Sequence, residues 1–172
     1  MTDDEAERFR VLVLPHLDAA FNLARWLVGS EPDAEDVVQD AYVRAMRGFD
    51  GLRGSDARPW ILAIVRNASL TWLGRNRPQT LAEPLEEEAH ADRSEPSPED
   101  AALVAADARA VQQALAELVP RHREMIVLRE LEGLSYREIA AVTGTPIGTV
   151  MSSLSRAREA LRRRLATSAV EA

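Results

Sequence analysis

The sequence predicts an all-α protein made of two small helical domains that are joined by a flexible acidic linker. Apolar residues recur three or four positions apart through most of the chain, which is the spacing of amphipathic helices. An acidic stretch that contains proline and few large apolar residues interrupts this pattern near the middle. We therefore expect domains at residues 1–78 and 100–172, with the linker at residues 79–99.

The composition excludes several classes of site. With 172 residues and 46% apolar content, the chain can fill one ordinary core or two small ones. It has no Cys, which excludes disulfides and thiolate metal sites. His16, His90 and His122 are scattered, and no phosphate-cradling glycine loop or acyl-transfer nucleophile motif is present. We expect no enzymatic activity, no cofactor and no metal site.

The ends and the hydropathy pattern favour a cytoplasmic protein. No uninterrupted apolar run approaches the roughly 20 residues that span a bilayer. The first ten residues are charged and lack the apolar centre of a signal peptide. Its 21 positively charged side chains are all Arg, since the chain contains no Lys.

In the first domain, apolar spacing from Phe9 to Leu27 predicts one helix. The sequence GSEPD breaks the pattern, and Asp33 is a suitable cap for a second helix, whose apolar stripe runs from Val37 to Phe49 and includes Met46. Charged residues on its other face are typical of a solvated surface.

A third helix follows the glycine-containing segment FDGLRGSDARPW. It places Trp60 and Trp72 in one stripe with Ile and Val, and Arg58 and Arg66 in another. Arginines beside aromatic rings can grip an unstacked nucleic-acid strand. Because the tryptophans share their stripe with Ile and Val, the core is the better place for them.

The middle of the chain supplies most of the net charge of -7. Residues 80–118 hold 10 acidic side chains against 2 arginines. Most of these acidic side chains lie in the linker at residues 79–99, which buries too little apolar surface to offset its ordering entropy. It is either a solvated spacer or a charged arm that docks in a basic groove.

The second domain ends in a predicted helix-turn-helix. After a helix over residues 100–118, Ser135 and Glu138 form an S-x-x-E capping box, and Gly144 ends the short helix that it starts. Thr145 and Pro146 are suited to begin the last helix. Its outward side is predicted to carry Ser152, Ser155, Arg156, Glu159 and Arg163, and could enter a DNA major groove. The alternative is an amphipathic helix in an ordinary bundle.

Three segments resemble the extracytoplasmic function (ECF) subfamily of bacterial RNA polymerase sigma factors, in the sigma-70 family. DAEDVVQDAYVRAMRGFD is similar to the family's polymerase-binding segment, and RPWILAIVRNASLTWLGR to its helix that reads the promoter -10 element. GLSYREIAAVTGTPIGTVMSSLSRAREALRRRL is similar to its -35 module. The resemblance covers nearly the whole chain in the right order, and implies a sigma-2 domain and a sigma-4 domain.

The resemblance also implies site residues. The helix face that touches the beta-prime subunit of core RNA polymerase would carry Asp36, Gln39, Asp40, Arg44 and Arg47. The -10 element would be bound by Leu52, Arg53, Ser55, Asp56, Arg58, Arg66, Asn67 and Arg75. The -35 element would be bound by Tyr136, Arg137, Thr149, Ser152, Ser153, Arg156 and Arg163. Many relatives have Arg or Lys soon after G-T-V, whereas this chain has Met151, Ser152 and Ser153, which leaves Arg156 as the first strong base or phosphate contact.

Partners follow from the same resemblance: core RNA polymerase through its beta-prime and beta subunits, promoter DNA, and an anti-sigma factor. The chain offers no Cys for a redox switch and no additional control domain. We therefore expect a separate inhibitor that covers both the helix face at residues 37–49 and the sigma-4 surface. The alternative from another class is a helix-turn-helix regulator that binds DNA without polymerase.

Overall fold

The computed structural model describes residues 1–76 and 108–171. All regular structure in these two ranges is helical, as predicted. The predicted linker at 79–99 and the first residues of the predicted second domain lie outside the described residues. The elements of the first range are helix α1 (Asp3–Leu12), a 3-10 turn (Leu14–His16), α2 (Leu17–Val28), α3 (Glu31–Arg47), a second 3-10 turn (Phe49–Gly51) and α4 (Ala57–Asn76).

The second range continues the helical order. It consists of α5 (Ala108–Glu117), α6 (Pro120–Ile126), a π-helical turn (Val127–Leu131), α7 (Tyr136–Thr143) and α8 (Ile147–Glu171).

In the N-terminal domain, α2, α3 and α4 pack against one another. Their shared core contains fully buried Leu23, Ala41 and Ile61. An aromatic cluster closes one end: the Phe9 ring meets the Phe49 ring edge-on, with centroids 5.3 Å apart. Trp60 packs against this core, as its position in the apolar stripe predicts.

The first predicted helix is in fact two helices. Pro15 lies in the 3-10 turn between α1 and α2, because proline has no backbone N–H for the ladder of a continuous α-helix. The change of direction leaves Leu17 44% exposed, although it belongs to the apolar spacing that runs from Phe9 to Leu27. The stretch Asp3–Val28 is long and apolar enough by composition to cross a membrane. In this fold, however, Val13, Leu23 and other apolar side chains of that stretch are fully buried in the core.

Helix α3 begins earlier than its predicted cap. Ser30 has an extended backbone, and its hydroxyl accepts a hydrogen bond from the Asp33 amide at 3.5 Å. Ser30 is therefore the cap, and Asp33 lies in the first turn, where its charge favours the positive end of the helix dipole. The preceding Gly29 adopts a left-handed conformation with φ of 82°, which ends α2.

In the C-terminal domain, α8 packs against α5, α6 and α7. The predicted capping box is confirmed: the Glu138 amide donates to the Ser135 hydroxyl at 3.1 Å, and the Ser135 amide donates to the Glu138 carboxylate at 2.6 Å. Gly144, with φ of 67°, ends α7 in the left-handed region as predicted. The short helix, tight turn and long helix form the predicted helix-turn-helix, whose inward side includes buried Val150 and Leu154.

The two domains touch through a defined set of elements. Helix α4 packs against α7, and α2 packs against α6 and the π-helical turn. We call this contact the domain interface.

Candidate functional site

The outward face of α3 is a charged surface on a rigid helix. Its opposite side is fixed in the core by Val37, Ala41 and other buried residues. The carboxylate of Asp40 pairs with the Arg44 guanidinium at 2.6 Å, one helical turn away. All five residues predicted to bind polymerase are exposed on α3: Asp36, Gln39, Asp40, Arg44 and Arg47.

Two apolar side chains belong to this surface as well. Met46 is 43% exposed, so the predicted apolar stripe is not buried at this position, and Val43 is 45% exposed. Both residues lie among the charged positions of α3, where they add apolar area that water does not favour. Exposed apolar area that is rimmed by polar residues is a feature of protein-binding surfaces. The sequence did contain a sign that α3 exposes apolar area: Val43 falls outside the predicted apolar stripe.

The loop before α4 presents polar groups to solvent. Leu52 packs against the core and so anchors the loop. Arg53, Ser55 and Asp56 are exposed, and Gly54 takes the left-handed region with φ of 88°. This is a short exposed loop whose base is fixed by Leu52.

The four predicted DNA-binding residues of α4 divide into two pairs. Asn67 and Arg75 are exposed. Arg58 and Arg66 turn toward the C-terminal domain, where their side chains are only 29% and 20% exposed. The structure therefore places Arg58 and Arg66 in the domain interface and not on an open surface.

The neighbourhood of Arg58 affects a histidine. Burial lowers the pKa of His16, and the positive charge of Arg58 lowers it further, while Asp56 acts in the opposite direction. A neutral His16 is therefore favoured beside Arg58.

The helix-turn-helix exposes part of its predicted contact set. Arg137 and Arg163 are exposed, and Tyr136, Thr149, Ser152 and Arg156 are half-buried. The Tyr136 ring lies under the guanidinium of Arg129, whose central carbon is 4.9 Å from the ring centroid. Arg129 also donates to the Leu134 carbonyl at 2.7 Å. This arrangement holds Tyr136 at the start of α7.

Ser153 does not belong to the exposed face. It is 2% exposed, and the Arg121 guanidinium donates to its hydroxyl at 3.3 Å. At 100° per residue, Ser153 falls next to Ala157 at the edge of the inward arc of α8, which also holds Val150. The prediction that it contacts DNA is therefore wrong for this arrangement.

No metal centre appears in the part of the chain that the structure describes. Residues 1–76 and 108–171 contain no group of three or more His, Asp or Glu side chains that could hold a metal ion.

Comparison with known proteins identifies the two domains. The sequence model of Sigma-70 region 2 matches residues 12–79, and that of Sigma-70 region 4 matches residues 108–161. The chain is 36% identical to the RNA polymerase sigma-H factor of Pseudomonas aeruginosa over 165 residues, covering 91% of this chain and 86% of that protein. The chain belongs to the ECF sigma factors of the sigma-70 family.

Other relatives agree with this assignment. The sigma factor is 34% identical to the ECF RNA polymerase sigma-E factor of Escherichia coli, with the same shares of 91% and 86% covered. It is also 34% identical to the ECF sigma factor SigE of Mycolicibacterium smegmatis, of which it spans 60% while 90% of its own chain is covered.

Two solved structures resemble the whole sigma factor. One is the sigma factor RpoE in complex with the anti-sigma factor NepR from Bartonella quintana, with a TM-score of 0.65, 28% identity and 95% and 98% of the two chains covered. The other is CnrH in complex with the cytosolic domain of CnrY, with a TM-score of 0.66, 28% identity and 95% of each chain covered. Both comparisons support the two-domain helical fold, which here carries α1 to α4 in sigma-2 and α5 to α8 in sigma-4.

Proposed function

We propose that this sigma factor binds core RNA polymerase and directs it to promoters by contacting the -10 and -35 elements. The observation that carries the proposal is the order of surfaces on one chain. A region 2 domain exposes a charged and apolar face on α3, and a region 4 domain follows it with a helix-turn-helix. A regulator that works alone has no need of the first surface.

The α3 face is proposed to bind the beta-prime subunit. Asp36, Gln39, Asp40, Arg44 and Arg47 are exposed on a helix whose inner side is packed, so docking would require little reordering. Met46 and Val43 supply apolar area within the same surface.

The -10 element is proposed to meet the loop at 52–57 and the open side of α4. Leu52, Arg53, Ser55 and Asp56 would receive an unstacked base, and Asn67 and Arg75 would contact the adjoining strand. Arg58 and Arg66 join this set when the domain interface is open. Four arginines and an amide in this region suit phosphate and base contacts.

The exposed face of the helix-turn-helix is proposed to bind in the major groove of the -35 element. Tyr136, Arg137, Thr149, Ser152 and Arg156 lie at the start of α7 and in the first three turns of α8. Arg163, which is 77% exposed, is placed for the phosphate backbone. The net charge of -7 does not oppose this role, because polymerase itself supplies most of the nonspecific attraction to DNA.

An anti-sigma factor is the proposed inhibitor. One similar solved structure is of the sigma factor RpoE in complex with the anti-sigma factor NepR. A second is of CnrH in complex with the cytosolic domain of CnrY. A protein that covers the α3 face would exclude polymerase by occupying the same surface. The work of such a sigma factor lies in the cytoplasm, with the transcription machinery.

A gel-shift experiment tests the proposal against the stand-alone regulator. The DNA is a promoter fragment selected from genomic fragments by run-off transcription with the reconstituted holoenzyme. We expect a specific shift with core polymerase and no comparable specific shift with the sigma factor alone at the same concentration. A specific, polymerase-independent shift of equal affinity would favour the regulator.

A further inference from the structure

We infer that the sigma-4 domain masks part of the promoter-binding face of sigma-2 in the free protein, with two carboxylates standing where DNA phosphates would bind. The inference rests on the proposed function, which assigns promoter binding to that face of sigma-2. The masking contact itself is a property of the domain interface and can be measured without DNA or polymerase.

The first carboxylate is that of Glu124 in α6. Its Oε1 accepts from Nε of Arg66, and its Oε2 lies 3.4 Å from Nη2 of the same guanidinium. This is the two-point geometry in which arginine also holds a phosphate group. The Glu124 side chain is 5% exposed, although glutamate is rarely so buried unless it is paired. The pair joins residues 58 positions apart, from different domains.

The second carboxylate is that of Glu132, just after the π-helical turn. Its Oε2 lies 3.8 Å from Nη2 of Arg58, and the same guanidinium donates to the Glu132 main-chain carbonyl. Its Oε1 accepts a hydrogen bond of 2.5 Å from the side-chain amide of Asn22. The Glu132 side chain is 12% exposed. One glutamate thus contacts both α2 and α4 of sigma-2.

A backbone contact adds to these pairs. Nη1 of Arg123 donates to the Trp26 carbonyl at the end of α2, at 3.0 Å. Helix α4 also packs on α7. The side chains of the two charged pairs are 5% to 29% exposed, so water reaches them only partly, which strengthens each pair.

Phosphate and carboxylate cannot occupy the same guanidinium face together. Arg58 and Arg66 therefore become available to DNA only when sigma-4 leaves sigma-2. If polymerase or DNA binds only the open form, its apparent affinity equals the affinity for that form multiplied by the fraction of molecules that are open. Weakening the carboxylate contacts should then raise that affinity.

Spin-label distances measure the mask directly. The chain contains no Cys, so Thr71→Cys on α4 and Gln113→Cys on α5 give one labelled pair in the full-length protein, both at exposed positions outside the named contacts. We expect one narrow distance distribution. Glu124→Arg should broaden and lengthen it, and adding Arg66→Glu to that variant should restore the narrow form, because the pair is rebuilt with reversed charges.

Two results would overturn the mask. One is a broad distribution of spin-label distances in the labelled protein that carries no interface substitution. The other is a narrow distribution that Glu124→Arg leaves unchanged while circular dichroism shows a folded protein. If Glu124→Arg lowers the helix content, the milder substitution Asn22→Ala is tested in its place. The distance distribution must then broaden in the Asn22→Ala variant, and an unchanged distribution would overturn the mask.

Binding to core polymerase supplies the functional test. Glu124→Gln with Glu132→Gln should bind core about fivefold more tightly than wild type. The matched control, Glu7→Gln with Glu31→Gln, removes two exposed charges from sigma-2 and should leave the affinity unchanged. Equal affinity of wild type and the interface variant would show that the mask does not limit binding. A narrow, Glu124-dependent distance with no core binding by any variant would instead refute the proposed function and leave the contact intact.

Discussion

The guanidinium of Arg158 donates from Nε and Nη2 to one oxygen of Glu130, at 2.9 and 2.7 Å. This pair ties helix α8 to the π-helical turn, and the Arg158 side chain is only 13% exposed. We expect Glu130→Ala to lower the free energy of unfolding by about 0.5 to 1 kcal/mol, measured by urea denaturation. Glu159→Ala, whose partners Arg162 and Arg163 are more exposed, should have a smaller effect. Equal losses would contradict the special role of the pair.

Charge reversal on the α3 face should abolish polymerase binding and leave the fold of sigma-2 intact. Asp36→Arg together with Asp40→Arg should abolish capture of core polymerase, because two charges in the proposed contact change sign. Both residues are exposed, so unfolding should shift by no more than about 0.5 kcal/mol for each change. Pull-down and thermal denaturation measure the two effects.

The control for this double variant is Glu7→Arg with Glu31→Arg, which reverses two exposed charges that are not among the five predicted polymerase-binding residues, one on α1 and one at the first position of α3. Undiminished capture by the α3 variant, or equal loss in the control, would show that the docking face is assigned wrongly.

The two promoter elements should respond to different residues. Changes at Asn67 or Arg53 should alter -10 preference and strand opening, and changes at Ser152 or Arg156 should alter -35 preference alone, because the residues lie on separate domains. Transcription from a library with both elements randomised measures the two preferences at once. A single substitution that shifted both preferences would contradict the assignment.

Alkaline pH should reveal a tyrosine of the sigma-2 core. Burial raises the pKa of Tyr42 from 10.0 to about 12, and Asp18 adds to the rise. Because the folded-state pKa lies above the unfolded value, the stability from the protonated phenol is complete below about pH 10 and is lost between pH 10 and 12. The chain has no Lys or Cys, so few other groups titrate in that window.

Tyr42→Phe isolates this effect. The Tyr42 hydroxyl donates to the Val13 carbonyl at 3.4 Å, and that carbonyl also accepts from the His16 amide, so the substitution should cost only about 0.5 kcal/mol at pH 8. Urea denaturation from pH 9 to 12 should show a steeper loss for wild type than for Tyr42→Phe. Parallel curves would exclude Tyr42 as the cause.

Local rules predicted the helix-turn-helix well and the domain interface not at all. The capping box of Ser135 and Glu138 and the left-handed Gly144 depend on neighbours in sequence, so their residue types are sufficient signals. Ser30 and Asp33 are both good caps, and residue type alone did not decide between them. Met46 was assigned by its apolar character, although it lies at the edge of its stripe.

The contacts of Arg66 with Glu124 and of Asn22 with Glu132 span 58 and 110 residues. No local pattern distinguishes these side chains from solvated ones, since the pairing depends on how two folded domains meet. The exposed α3 face is the opposite case: periodicity found it, and resemblance supplied its meaning.

Arg123 shows which interface positions evolution can adjust. Its guanidinium donates to the carbonyls of Leu115, Ala116 and Leu118 in its own domain and to that of Trp26 in the other. Three of these four bonds hold the corner between α5 and α6, so a substitution there would damage the sigma-4 fold along with the contact. Within the described part of sigma-2, Asn22 accepts one long hydrogen bond from Arg25, at 3.5 Å, and does not join two helices of its own domain as Arg123 does. Descendants of this chain could therefore retune the strength of domain association through Asn22 while Arg123 stays constant.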